Sequence, residues 1–394
     1  MNFKLLGGIL LIMGTSIGAG ILALPVATAS LGVFGIVSFL LLVWALMTYA
    51  AFLVLEVNLW LPPGTNIITM SKVTLGLPGQ LIAWSSYLLL LYCLMAAYTA
   101  GGGDIFQHFA ELFSVVLPSK VYAICFVLVI SFVVYQGIRA VDHVNRLLMS
   151  IKLFALFALI FSLMPFVSVK ELFHTHFQFH MAAIVIMVTS FGYATIVPSL
   201  RVYFEDDVPT LKKVIFIGSL IPLICYLLWV VTIHGVLPEA GPNGLAAILS
   251  GGHAASALMA ALTTVLKNPW ITSFSDAFAS VSVVTSFLAV SLGLSDFLAD
   301  GLQMKKVGWR KVAIMLVTFL PPLMLVLFYP GLFITGLAYA GLFCVILLMF
   351  LPAAMAWSGR YRRGIATGYR VAGGRFALVL VFIATLVLTL FFRP

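Results

Sequence analysis

Gly14-Thr15-Ser16-Ile17-Gly18-Ala19-Gly20 lies in the middle of the first apolar stretch of the chain. Three glycines and two hydroxyl residues make a poor continuous helix, because each glycine costs about 1 kcal/mol against alanine in a helix interior. Opened backbone at membrane depth is tolerated only where protein or a water-filled cavity satisfies it. Secondary transporters build substrate and ion sites from such discontinuous helices. A second reading stands beside this one: small residues also let helices pack closely in a bilayer.

The rest of the chain supplies the bilayer context. Its 394 residues are 63% hydrophobic and 8% charged, with a mean hydropathy of +1.18. No soluble domain of this length hides that much apolar surface, so the class is an all-α polytopic membrane protein. The apolar runs are long and continuous, unlike the ten-residue alternation of a membrane barrel. About eleven transmembrane helices are predicted, over 5–30, 34–60, 81–107, 120–138, 147–166, 182–200, 213–236, 273–298, 310–329, 331–354 and 375–392. They form a single transmembrane domain over 1–394. Between the seventh and eighth spans, 243–267 carries Gly244, Gly251, Gly252 and then Lys267-Asn268-Pro269. It reads as a surface or re-entrant helical hairpin. The N-terminal run resembles a secretory leader only superficially; it is too long and glycine-rich, and Pro25 interrupts it.

The net charge of +9 does not point to nucleic acid, because the basic residues sit in short loops between spans. With the N-terminus inside, 17 of the 21 Lys and Arg residues fall on the inner side and 4 outside. Counting 243–267 as a span would move the basic clusters 305–311 and 360–375 outside. The bias therefore favours eleven spans, a cytoplasmic N-terminus and a periplasmic C-terminus. Cys93, Cys125, Cys225 and Cys344 all lie in apolar runs and read as packing residues.

A weak internal symmetry pairs the first span with the sixth. The latter contains Ser190-Phe191-Gly192-Tyr193-Ala194-Thr195-Ile196-Val197-Pro198-Ser199, again small residues, hydroxyls and a proline in an apolar run. Interrupted helices at corresponding positions of two halves point to an inverted-repeat transporter. The repeats would cover 5–166 and 182–354, with 375–392 as an additional helix. A pair of breaks in register favours the binding reading over simple packing. Unpaired amides at a half-helix start suit a carboxylate, and freed carbonyls and hydroxyls suit an ammonium. The candidate ligand is an amino acid. Phe191 and Tyr193, with Tyr92, Tyr98 and Thr99 ahead of Gly101-Gly102-Gly103-Asp104, are candidate walls for its side chain; in a chain that is 13% aromatic, lipid and packing contacts compete for each of them.

Ionisable residues inside a membrane are costly and are functional candidates by default. Lys152 reads either as a cation within the bundle or as a side chain snorkelling to the inner surface. Glu56 and Asp296 lie near the inner ends of their spans and read as cap or gate residues. Asp104 reads as part of an outer vestibule. His174, His176 and His180 read as a solvated loop, since no further donor supports a metal site. No phosphate-binding loop, nucleophile elbow or metalloprotease helix is present, so neither ATP-driven transport nor hydrolysis has support. No cofactor is expected. A channel or a membrane-embedded enzyme is the alternative from another class; too few convergent groups lie at membrane depth for the enzyme.

At five places the chain resembles the hydroxy/aromatic amino acid permease family of the amino acid–polyamine–organocation superfamily. They are Gly14-Thr15-Ser16-Ile17-Gly18-Ala19-Gly20-Ile21-Leu22-Ala23-Leu24-Pro25, Leu55-Glu56-Val57-Asn58-Leu59, Ser190-Phe191-Gly192-Tyr193, Val197-Pro198-Ser199-Leu200 and Leu292-Gly293-Leu294-Ser295-Asp296-Phe297-Leu298-Ala299-Asp300. The resemblance runs over essentially the whole chain. It implies a LeuT-like five-plus-five inverted repeat with helices 1 and 6 broken, and import of an amino acid with a proton across a bacterial inner membrane. Phe191-Gly192-Tyr193 followed by a proline resembles the tyrosine/tryptophan-specific branch; a serine/threonine symporter of the same family is the alternative. By the same resemblance, Thr15, Ser16, Gly18, Ala19 and Gly20, with Phe191, Gly192, Tyr193 and Ala194, surround the substrate. Lys152 falls in the span where some proton-coupled relatives carry a lysine in place of a sodium ion.

Overall fold

The computed structural model describes residues 3–173, 178–251, 254–329 and 331–392. Among them the regular structure is helical throughout. In chain order the helices are α1 (Phe3–Ser16), α2 (Gly20–Ala27), α3 (Gly32–Leu59), α4 (Ile67–Leu75), α5 (Leu77–Leu112), α6 (Ser119–Gln136), α7 (Ile138–Leu163), α8 (Val169–Phe173), α9 (Met181–Ser190), α10 (Val197–Tyr203), α11 (Val208–Val236), α12 (Leu245–Ser250), α13 (Ala254–Leu266), α14 (Pro269–Gly301), α15 (Trp309–Phe328), α16 (Leu332–Cys344), α17 (Leu351–Tyr361) and α18 (Gly374–Leu390).

Nine helical stretches are long and apolar enough to cross a membrane among the described residues, and α1 with α2 form a tenth, bent by 53°. The expected eleventh, α18, is apolar but only 17 residues long, about 25 Å at 1.5 Å per residue. The 243–267 segment forms α12 and α13, each too short to cross; α13 packs against α14 and α5. Its Gly252 lies outside the described residues, as do His174 and His176, whereas His180 is exposed just before α9.

Local chemistry sets the helix boundaries. Asp207 caps α11 by accepting from the Thr210 amide at 3.2 Å, with a proline in the first turn. Asn66 does the same for α4 and Asn268 for α14. Gly137 alone separates α6 from α7, and its φ of +104° is open to glycine and closed to nearly every other residue. Within α5, Gly101-Gly102-Gly103 is a packing seam. A Cβ at Gly102 would stand 2.3 Å from the Phe126 ring, and one at Gly101 would stand 2.9 Å from Phe333. With no hydrophobic drive between helices in lipid, such close approach is what holds them together. Of the cysteines, Cys225 and Cys344 are buried as packing residues should be, Cys93 is half-buried, and Cys125 is exposed.

The basic loops meet at one end of the bundle. There Glu56, fully buried at the end of α3, forms a two-pronged ion pair with Arg360 of α17. Glu56 also accepts from the Val371 amide at 2.7 Å. Arg201 of α10 donates to the carbonyls of Asn58 in the last turn of α3 and of Leu61 just beyond it, and to Asp206. That hydrogen bond holds the Asp206 carboxyl below its usual range. Lys4 at the start of α1 pairs at 2.8 Å with Glu205, which lies just beyond α10.

Candidate substrate-binding site

The glycine-rich stretch breaks the helix as its composition demands. α1 ends at Ser16, the Gly18 amide turns back onto the Ser16 carbonyl at 2.8 Å, and α2 begins at Gly20. The sixth span breaks at Phe191, followed by a 3-10 turn over Gly192–Ile196 before α10. The two breaks lie against each other: a Cβ at Gly20 would stand 3.4 Å from the Ser190 hydroxyl.

Four carbonyls along the broken first span, those of Ser16, Ile17, Ile21 and Pro25, meet side chains of other helices. The Tyr226 hydroxyl of α11 lies 2.6 Å from the Ser16 carbonyl and 2.9 Å from the Ser190 carbonyl. One hydroxyl proton thus serves the terminal carbonyls of two half-helices. Lys152 of α7 donates to the Ile17 carbonyl at 2.6 Å and to the Thr285 hydroxyl at 3.2 Å. Pro25 has no amide hydrogen, which frees the Ile21 carbonyl one turn earlier; the Trp229 indole donates to that carbonyl at 2.9 Å. His234 lies 3.1 Å from the Pro25 carbonyl. On the opposite side of the break, the Ala19 amide donates to the Ser286 hydroxyl of α14 at 2.7 Å. A Cβ at Gly18 would come within 3.0 Å of that same oxygen and 3.8 Å of the Tyr98 hydroxyl.

These contacts gather Ser16, Gly18, Ala19, Gly20, Tyr98, Phe191 and Lys152 around one centre, with Ser190, Tyr226, Thr285 and Ser286. The Phe191 ring stands edge-on to Tyr226, centroids 5.3 Å apart. The buried hydroxyls of Ser16, Thr99 and Ser282 have no hydrogen-bond partner among the described residues. Of the two readings of Lys152, the side chain does not snorkel: it is 1% exposed and reaches across to the first span.

Other candidates stand apart. Thr15 is exposed and its hydroxyl bonds within the helix to Leu11. Tyr193 is buried, but its hydroxyl turns to Thr48 of α3 at 2.9 Å. Ala194 is buried in the same 3-10 turn, and Gly192 faces the Cys344 sulfur, 3.6 Å from where its Cβ would stand. Asp104 is buried in α5. Asp296 is at the basic end, 2.5 Å from Lys306, with its side chain 60% exposed. Glu56, which the sequence reads as a cap or gate residue, is buried, and Arg360, far away in sequence, neutralises it.

Sequence reading did not single out Tyr226, Trp229, His234, Thr285 or Ser286. A signal existed for the first three. They carry polar tips inside α11, a very apolar span, and a buried indole, phenol or imidazole needs a partner.

The chain matches the model of the tryptophan/tyrosine permease family over residues 1–392. It is 35% identical to "Tyrosine-specific transport system 2" of Haemophilus influenzae, over 98% of this chain and 95% of the relative. It is 32% identical to "Tryptophan-specific transport protein" of Pseudomonas aeruginosa, over 96% of this chain and 91% of the relative. Among solved structures it resembles Mhp1, a nucleobase-cation-symport-1 family transporter in a closed conformation with bromovinylhydantoin bound. That match has a TM-score of 0.61 at 14% identity and covers 99% of this chain and 88% of the other. The fold is thus LeuT-like, and by sequence the chain belongs to the tryptophan/tyrosine permease family.

Proposed function

We propose that this chain imports tyrosine or tryptophan by proton symport through alternating access in a bacterial inner membrane. Its N-terminus would face the cytoplasm and its C-terminus the periplasm. The inverted repeats would cover 5–166 and 182–354, with 375–392 added. The observation that carries the reading is Tyr226 bound to the last carbonyls of α1 and α9. Two helix C-termini converging on one point make a negative locus suited to an ammonium. Beside it, the start of α2 with the Ala19 amide and Ser286 hydroxyl suits a carboxylate. An amino acid presents both charges.

Tyr98 and Phe191 flank this centre and are proposed to take the aromatic ring. Lys152 is proposed as the coupling group. Its ammonium holds the Ile17 carbonyl, so protonation and the shape of the first break are linked. Asp104 is proposed for the outer vestibule, Glu56 as a fixed anchor, and Asp296 with Lys306 as a contact at the cytoplasmic mouth.

Competition for labelled tyrosine uptake into proteoliposomes tests the substrate. Unlabelled tyrosine or tryptophan should compete at least about tenfold better than serine, a difference of about 1.4 kcal/mol. Serine competing better than tyrosine would favour the serine/threonine alternative.

A further inference from the structure

Away from the breaks, at the basic end, α17, α18 and α4 enclose an open cavity of about 540 Å³. Arg362 and Arg363 line its mouth, with Trp357 and Ser358 beside them; Phe350, Ala354, Val379 and Phe382 line the rest. The segment 360–375 holds five arginines and no acidic residue. Arg360 is neutralised by Glu56, and Arg370 and Arg375 lie over the Tyr361 ring. Arg362 and Arg363 are exposed, and no carboxylate among the described residues lies within ion-pairing distance of them. Their backbone is nevertheless fixed. Both amides donate to the Ser358 carbonyl, at 3.0 and 2.8 Å, and the Ser358 hydroxyl donates to the Thr74 carbonyl at 2.6 Å. Arg363 reaches over the Gly76 turn between α4 and α5.

The cavity grades from charged to apolar along the helix axis. From Arg363 to Phe350 is about 20 Å at 1.5 Å per residue, the reach of a headgroup and much of one acyl chain within a leaflet. Val379 and Phe350 are exposed on the bilayer side, and Trp357 and Tyr361 sit where aromatic residues mark a membrane interface. Guanidinium groups bind phosphate through paired hydrogen bonds, and basic pockets between membrane helices suit anionic headgroups. We infer that this groove is a binding site for an anionic glycerophospholipid. The phosphate sits on Arg362 and Arg363, and the acyl chain lies between α17 and α18 against Phe350, Val379 and Phe382.

The test uses the purified full-length protein in detergent and reads lipid retention by native mass spectrometry and lipid-induced thermal stabilisation. Phosphatidylglycerol should bind at least about tenfold tighter than phosphatidylcholine. R362Q/R363Q should erase that preference, whereas K213Q/K305Q, which removes two exposed charges elsewhere, should keep it. V379W leaves both arginines in place and narrows the apolar part; it should weaken phosphatidylglycerol binding and supplies the test if the arginine variant misfolds. Inorganic phosphate alone should neither stabilise the protein nor displace the lipid. Equal binding of the two lipids, an unchanged preference in R362Q/R363Q, phosphatidylglycerol binding at the wild-type level in V379W, or full displacement by inorganic phosphate would overturn the assignment.

Discussion

The Tyr226 hydroxyl lies 2.6 Å from the carbonyl oxygen of Ser16, the residue at which the first membrane helix stops. The same hydroxyl is 2.9 Å from the Ser190 carbonyl, where the first half of the sixth span stops. Removing it leaves two buried carbonyls facing each other with less than their due of donors, at a cost of about 1–3 kcal/mol. Y226F should lower the thermal midpoint in detergent and cut tyrosine uptake, with helix content by circular dichroism unchanged. Wild-type midpoint and uptake would remove Tyr226 from the account.

Lys152 holds the Ile17 carbonyl inside the break. Methionine fills similar space without a charge or a donor. K152M should lose accumulation against a gradient and keep exchange of labelled for unlabelled substrate across proteoliposome membranes. Accumulation at the wild-type level would take Lys152 out of the coupling step.

The two nearest glycines should respond differently. A methyl group at Gly18 would press on Ser286 Oγ at 3.0 Å, the acceptor of the Ala19 amide, whereas at Gly20 it would meet Ser190 Oγ at an ordinary 3.4 Å. G18A should raise the KM for uptake about tenfold or more, and G20A by less than about threefold. Equal effects would contradict the placement of the carboxylate at Ala19 and Ser286.

Glu56 and Arg360 are a buried pair, and removing one partner of such a pair costs about 3–5 kcal/mol. E56Q should therefore melt well below wild type. E56Q/R360M, which leaves no unpaired charge, should recover part of the loss. A single variant with wild-type melting would show that the pair is not holding the 371–373 segment against α3.

Two carboxylates at the basic end, Glu205 and Asp206, are expected to stay out of proton coupling. Lys4 holds the exposed Glu205 carboxyl below its ordinary value, and Arg201 does the same for Asp206. A depressed folded pKa gives a contribution present above the unfolded value, about 4, and lost as pH falls through the lower folded value. Both groups therefore remain ionised from pH 5 to 8. The pH profile of uptake in E205Q should keep the wild-type shape, and a shifted profile would give Glu205 a part in the coupling mechanism.

Ten of the eleven expected spans, the broken first and sixth helices and the two short helices of 243–267 were legible because each is a local matter of glycine, proline and apolar run length. The partners of the break were not. Tyr226 contacts Ser16 across 210 positions, and Lys152 contacts Ile17 across 135. Only the folded bundle sets those encounters. The same holds for Glu56, whose burial follows from Arg360 some 304 positions away. Tyr193 shows the reverse: its motif placed it beside the substrate, yet its hydroxyl is engaged by Thr48. A residue's position in a motif does not fix the direction in which its side chain points.

The most direct test is the accumulation of labelled tyrosine and tryptophan in proteoliposomes carrying the purified protein, under an inward proton gradient with sodium absent. Transient accumulation above the external concentration is expected, abolished by collapsing the gradient and by K152M. Uptake that ignores the proton gradient and requires sodium would contradict it.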